Sequence, residues 1–251
     1  MKRSTLGLLA SALMCLAPMS GHAGLSAYSQ NFERLLAFDA NALGNDGWLA
    51  YAGVYSPDGS TFLYGYGAFP APNGPFGFSR IGYGPGDPPH GNLQLVVFND
   101  YNNANAHSSG QRVQASVFQL QTIGAADAGT TWRLQFDARF GNLAAPSTAQ
   151  AFILTLDPSQ GYAVTSQRTI DMTALPIDWG SYSISLPITA GAGEILEFGF
   201  ASAATNYQAS AVIYDNVSFA PIPEPSIPVL MLVGLGLLAW LKVHTCAQAR
   251  R

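Results

Sequence analysis

In Trp132-Arg133-Leu134-Gln135-Phe136-Asp137-Ala138-Arg139-Phe140 every even-numbered residue is apolar and every odd-numbered one is polar. Successive side chains of a β-strand point to opposite faces, so this period of two predicts a half-buried strand with Trp132 and Phe136 on its core side. Ser181-Tyr182-Ser183-Ile184-Ser185-Leu186 repeats the pattern with serine outward. Working outward, further strands are predicted over 93–98, 113–120, 151–156, 196–200 and 212–219, separated by clusters of Gly, Pro, Asn and Asp. No segment of the body shows a sustained helical period. Short strands divided by turns predict an all-β fold, an antiparallel β-sandwich of jelly-roll type. Residues 65–91 are less regular, with eight Gly and six Pro in 27 positions and Tyr66, Phe69, Phe76, Phe78 and Tyr83 interleaved. Pro donates no ladder hydrogen bond and Gly weakens strands, so this stretch is predicted as an extended loop system packed by its own aromatics.

Charged residues make up only 10% of the 251, against about 25% in an ordinary soluble domain. The 26 Gly and 16 Pro favour turns, and collagen, coiled coil and long helical repeats are excluded. A formal charge of −4 and a pI near 5.4 leave no basic face for a phosphate backbone, so no nucleic acid is expected as a partner.

The two ends differ from the body. Met1-Lys2-Arg3 is basic, Leu6 to Ala17 is apolar or small for 12 residues, Pro18 follows, and Gly21-His22-Ala23 offers small residues to signal peptidase. Residues 1–23 are therefore expected to be a signal peptide cut after Ala23. At the other end, Pro223-Glu224-Pro225 precedes an uncharged run of 16 residues from Ser226 to Leu241. As a helix at about 1.5 Å per residue it would reach about 24 Å, a marginal membrane span that Lys242 could extend by snorkelling. With Arg250-Arg251 behind it, a single C-terminal transmembrane helix is predicted, the body lying outside the inner membrane. The expected organisation is 1–23 signal peptide, 24–221 ectodomain and 222–251 sorting segment.

That final segment resembles the PEP-CTERM sorting signal of Gram-negative bacteria. Pro223, Glu224 and Pro225 match the motif, Ile222 stands where the family often has Val, and His244, Thr245 and Cys246 dilute a usually denser Arg cluster. The resemblance implies recognition by exosortase, a membrane-embedded cysteine transpeptidase or protease that removes the helix and delivers the body to the cell surface or extracellular matrix. It also implies an association with exopolysaccharide and biofilm production.

The body between these ends carries six arginines, no lysine and 14 acids, near −8. Cys15 and Cys246 both lie outside it, so no disulfide stabilises it. It contains no His-Glu-x-x-His, Gly-x-Ser-x-Gly or phosphate loop, and Gly77-Phe78-Ser79-Arg80-Ile81 lacks the second glycine. His90 and His107 lie in polar loops and are expected to be solvated. Paired carboxylates could still hydrolyse a glycoside, although none of the 14 acids is singled out.

Within Ile213-Tyr214-Asp215-Asn216-Val217-Ser218-Phe219, alternation places Asp215 on the face of Ile213, Val217 and Phe219. A carboxylate there needs a partner or a cation. Asn31-Phe32-Glu33 and Asp215-Asn216-Val217 resemble the ends of the galactose-binding-like jelly rolls of many carbohydrate-binding modules. The resemblance implies that the first and last strands lie together and that Glu33 and Asp215 help hold a structural calcium ion. Pairing of Asp215 with an arginine, or with backbone N–H groups, is the alternative. Asn99-Asp100-Tyr101-Asn102-Asn103-Ala104-Asn105-Ala106-His107 suits a hard cation, sugar hydroxyls or a solvated turn equally in composition. Trp48, after the turn Asn45-Asp46-Gly47, and Tyr66 and Tyr83 are candidates for stacking on sugar rings, with packing of the loops as their other use. The expected whole is an exported, exosortase-sorted, non-catalytic surface or matrix protein that binds exopolysaccharide. A purely structural or adhesive protein and a secreted polysaccharide hydrolase are the alternatives.

Overall fold

The structure, a computed structural model, describes residues 24–223. The expected signal peptide, Glu224 and Pro225, the apolar run and the basic tail lie outside the described residues, as do Cys15 and Cys246. Twelve strands form: β1 (Tyr28–Gln30), β2 (Leu49–Tyr55), β3 (Phe62–Pro70), β4 (Ser79–Tyr83), β5 (Leu93–Val97), β6 (Arg112–Thr122), β7 (Thr131–Phe140), β8 (Thr148–Asp157), β9 (Ala163–Asp171), β10 (Gly180–Pro187), β11 (Ile195–Ala204) and β12 (Val212–Pro221). The only α-helices among the described residues are one-turn pieces, α1 (Ala42–Asn45) and α2 (Ala104–Ser108), and no helix there is long and apolar enough to cross a membrane.

All strand pairs are antiparallel and fall into two sheets. The first has the order β10-β7-β12-β5-β4, with β1 also on β12; the second has the order β3-β2-β6-β11-β8-β9. Within them β10-β7-β12-β5 faces β6-β11-β8-β9, which is the jelly-roll order for eight consecutive strands and agrees with the fold expected from the sequence. The remaining strands widen each sheet, and β1 on β12 brings the start and end of the body together, Tyr28 opposite Phe219.

The alternating strands fall where their period places them. Trp132 and Phe136 are buried, Trp132 stacked on Phe219 at 4.8 Å and Phe136 edge-on to Phe200 at 5.1 Å. Residues 65–91 correct the expectation of a continuous loop, since they contain most of β3 and all of β4. Glycine permits this rather than preventing it: Gly65 faces Gly53 across the β2–β3 ladder, and the Tyr51 hydroxyl occupies the space a Cβ at residue 65 would need. The prolines are confined to the end of β3 and the links on either side of β4.

Asp215 is a second correction. Asn216 adopts a left-handed backbone (φ 48°), and the register of β12 against β7 shifts between Asp215 and Ser218. This β-bulge changes the phase of the alternation. Val217 and Phe219 therefore join Tyr214 in the core, and Asp215 stays on the opposite face of the sheet.

Candidate functional site

The second sheet is apolar on both faces. Its inner face closes the main core, and its outer face carries a separate cluster of Tyr51, Phe118, Phe152, Leu154, Leu156 and Ile195. Toward one end this outer face turns polar and recedes. The paired positions Tyr51, Ser116, Ala201, Gln150 and Asp171 form one row across five strands, and Gly53, Gln114, Ala203 and Thr148 form the next. Ala201 and Ala203 supply a low floor between longer polar neighbours, and a cavity of about 470 Å³ lies over it. Tyr55, Asp58, Gly59 and Arg112 border one side, and Thr169 and Asp171 the other.

The cavity's hydrogen-bonding groups are unevenly used. Arg112 donates from Nη2 to Thr148 Oγ1 at 2.7 Å, and burial lowers its pKa. The one ion pair among the described residues is His90 with Asp137, so no carboxylate neutralises Arg112. Gln114 Nε2 and Ser116 Oγ are buried without a hydrogen-bond partner. Asp58 is held down at about 2 by hydrogen bonds from Ser56 and Ser60, and Asp171 accepts from the Thr173 N–H at 2.8 Å. Farther along the same face Glu197 pairs in register with Leu120 and Leu154, where burial pushes its carboxyl up to about 8. The wall with Arg112 therefore offers donors beside the Asp58 acceptor, the opposite wall offers the Asp171 acceptor, and the floor offers alanine methyl groups.

The first sheet holds an acidic cluster. Asp215 lies directly opposite Asp137 and is fully buried. Its Oδ1 accepts from the Asn216 N–H at 2.7 Å, while Oδ2 has no partner. Burial raises its carboxyl to about 7, and the charges of Glu33 and Asp137 add to this. Glu33 Oε1 accepts from the Leu93 N–H at 2.6 Å. Asp137 accepts from Ser181 and from Asn216 and contacts His90 Nε2 at 3.1 Å. Asp215 is thus not arginine-paired, and it accepts one backbone bond.

An orphaned buried carboxylate oxygen beside two further acids is the hard-oxygen environment that calcium prefers. Among the described residues, however, no three acidic, histidine or cysteine side chains converge as a ligand set. Glu33 and Asp215 could hold the ion only if backbone carbonyls and water completed its shell. Bound there, calcium would neutralise Asp215 without a proton.

The three aromatics singled out in the sequence do not share a site. Trp48 corrects its assignment as a sugar platform: it is fully buried, and its Nε1 donates to Tyr28 Oη at 2.8 Å. The turn before it is Asp46-Gly47, with Asn45 the last residue of α1, and Tyr28 of β1 and Phe32 pack against the ring. Tyr66 is half-buried, donating its hydroxyl to Asp100 at 2.6 Å and standing edge-on to Phe78. Tyr83 is exposed beside the exposed Phe38, with ring centroids 6.2 Å apart. None of the three borders the cavity.

The polar stretch 99–107 is structural. Asn99 is buried and bonds the Val113 and Ser202 carbonyls, and the Asn103 side chain caps α2. His107 corrects the expectation of a solvated histidine: it is fully buried and stacked on Tyr207 at 4.8 Å, and burial lowers its pKa. His90 stacks on Trp179 at 4.1 Å. The cavity residues Arg112, Gln114, Gln150 and Asp171 were not singled out. Arg112-Val113-Gln114-Ala115-Ser116 does alternate, which places three polar side chains on one face, but their alignment with β8 and β9 is not written in any one strand.

No protein-family model and no curated protein matches the chain. Several solved structures are similar to it. The enzymatically active domain of bacteriophage CBA120 tailspike protein 4 shares 14% identity over 70% of this chain and 19% of its own, with a TM-score of 0.42. A carbohydrate-binding module of the β-sandwich superfamily shares 12% identity over 74% of this chain and 61% of its own, also at 0.42. The C-terminal family 22 carbohydrate-binding module of Clostridium thermocellum Xyn10B shares 15% identity over 77% and 92%, at 0.37. At these scores the likeness transfers neither a ligand nor a residue role to this chain.

Proposed function

We propose that the sandwich is a non-catalytic binding module that holds a polysaccharide in the cavity on the outer face of the second sheet. The observation that carries this reading is the pairing of the unspent Gln114 donor and the Arg112 guanidinium, which has no carboxylate partner, with acceptors on Asp171 and Gln150 across an alanine floor. Sugar hydroxyls both donate and accept, and pyranose C–H faces pack on small apolar groups or aromatic rings such as Tyr55. Asp58, held ionised, accepts but does not deliver a proton at neutral pH. Affinity electrophoresis through the producer's own exopolysaccharide tests the reading. Wild type is expected to be retarded, and Gln114→Ala combined with Asp171→Ala to lose at least about tenfold in affinity, about 1.4 kcal/mol, with its thermal transition nearly unchanged. Wild type running unretarded would favour a structural or adhesive role.

Delivery to the polysaccharide belongs to the same proposal. The supporting order is Pro223-Glu224-Pro225, apolar run, basic tail, together with the basic and apolar leader before Ala23. Signal peptidase would open the export route, and exosortase would release the body from the inner membrane to the surface or matrix. Glu224→Ala is expected to leave full-length protein accumulating in the inner membrane of an exosortase-containing host. Processing of the variant at the wild-type rate would remove the sorting reading and leave the binding reading standing.

A further inference from the structure

We infer that the polysaccharide of the binding reading, on which this rests, is an acidic one, and that Arg112 seats the carboxylate of a uronate residue in the cavity. Arg112 is the one arginine of the body whose charge is half-buried and left without a counterpart. Arg34, Arg80, Arg133 and Arg168 are exposed, where water solvates a cation, and Arg139 lies over the Trp179 ring at 4.9 Å. Arg112 has neither water all round nor a ring. Its hydrogen bond among the described residues runs from Nη2 to the Thr148 hydroxyl, a neutral acceptor. Burial lowers its pKa, and the charges of Asp58 and Asp171 do not offset that. A desolvated cation is costly until an anion joins it, and the pair is then held more strongly than in water.

Two features hold the guanidinium in place before any ligand arrives. The bond to Thr148 carries the side chain from β6 to β8, across β11 between them. The turn between β2 and β3 lies on its stem: a Cβ at Gly59, whose φ is 73°, would come within 3.1 Å of Arg112 Cδ. Two residues along β6, on the same face, Gln114 Nε2 is buried without a partner. A charged fork and an orphaned amide donor thus border one cavity, and what both lack is an acceptor that carries negative charge.

A carboxylate supplies that acceptor. Its two coplanar oxygens match the parallel N–H groups of a guanidinium, and its single charge equals that of Arg112. A phosphate would bring a second charge toward Asp58 and Asp171, which border the same cavity. Those two acids are left to accept the hydroxyls of the sugar ring. The net charge of the body, near −8, opposes a polyanion at long range. Salt at physiological strength screens exposed charges beyond about 8 Å, so the contact at Arg112 decides.

Affinity electrophoresis through the producer's exopolysaccharide is compared with the same polymer after its carboxyl groups are reduced to alcohols, which removes the charge and keeps the linkages. Wild type is expected to bind the reduced polymer at least about tenfold more weakly. Arg112→Gln, which keeps an amide donor and removes the charge, should bind the native polymer at least about tenfold more weakly and no longer respond to reduction. Arg112→Lys should keep part of the response, because the charge remains and the fork is lost. Arg133→Gln, the same change of charge at an exposed position on the first sheet, should behave as wild type. Equal retardation of wild type by both polymers would overturn the inference and leave the binding reading standing, and that comparison needs no variant to fold. Equal losses in Arg112→Gln and Arg133→Gln would also overturn it, since only net charge would then matter. Retardation by neither polymer would remove both readings.

Discussion

Trp48→Ala is expected to cost about 3–5 kcal/mol of folding stability, the range for deleting a fully buried large aromatic. The ring stacks on Phe200 at 6.2 Å, tilts against Phe32 at 6.5 Å and meets Tyr28 edge-on at 6.0 Å. It thereby joins β1, the segment that follows it at Phe32 and the inner face of β11. Its loss would leave a cavity bordered by the fully buried Phe32 and Phe200. It would also remove the donor to the Tyr28 hydroxyl, which itself donates to Asp46 at 2.6 Å. Trp48→Phe should cost less, about 1–3 kcal/mol, since most of the volume remains and the hydrogen bond is lost. Urea unfolding with an unchanged m-value measures both. A change within about 0.5 kcal/mol, the behaviour of an exposed side chain, would contradict the buried placement.

The second large effect is expected at Asp215. Without a metal, its carboxyl titrates near 7 in the folded body against 3.8 when unfolded. The folded state then holds the extra proton between those values, so this group's contribution to stability falls as pH rises from about 4 through about 7. The full cost at pH 8 is on the order of 2–4 kcal/mol. Calcium bound at Glu33 and Asp215 would reverse the sign, because it would hold the ionised form and only the folded state would assemble the site. In chelator the melting temperature should drop between pH 5 and pH 8. In millimolar calcium that drop should vanish, and the gap between the two conditions should widen with pH. Asp215→Asn, which keeps the shape and removes the charge, should abolish both the drop and the gap. Identical melting with and without calcium at pH 8, with the drop intact, would make Asp215 a buried titrating carboxyl and not a ligand.

How much of this was legible depended on whether one face of a segment meets water. β7 and β10 alternate because serine, arginine and glutamine face outward between core residues, and their register, Phe136 opposite Tyr182, keeps both patterns in phase. β2 and β11 are buried on both faces, so Leu49-Ala50-Tyr51-Ala52-Gly53-Val54-Tyr55 shows no period to read. β9 is a polar edge, and β3 and β4 hide among glycine and proline. For the acid pair, the resemblance to jelly-roll ends rightly implied that the opening and closing strands meet. The face of Asp215 is not legible in the alternation, because one left-handed residue at Asn216 shifts the phase and nothing in the period marks where a bulge falls.

By itself, then, the sequence determined the strand-rich class, the core sides of β7 and β10, the cysteine-free acidic body and the distinct character of the two ends. These are properties of composition or of a period within one strand, and local sterics and solvation set them. The tertiary structure alone decided that Trp48 is core, that His107 is buried, and that Arg112, Gln114, Gln150 and Asp171 border one cavity. Each of those depends on the register of strands distant in the chain. Register is chosen by the packing of the whole sandwich, where a slip of one residue would turn every side chain of a strand to its other face.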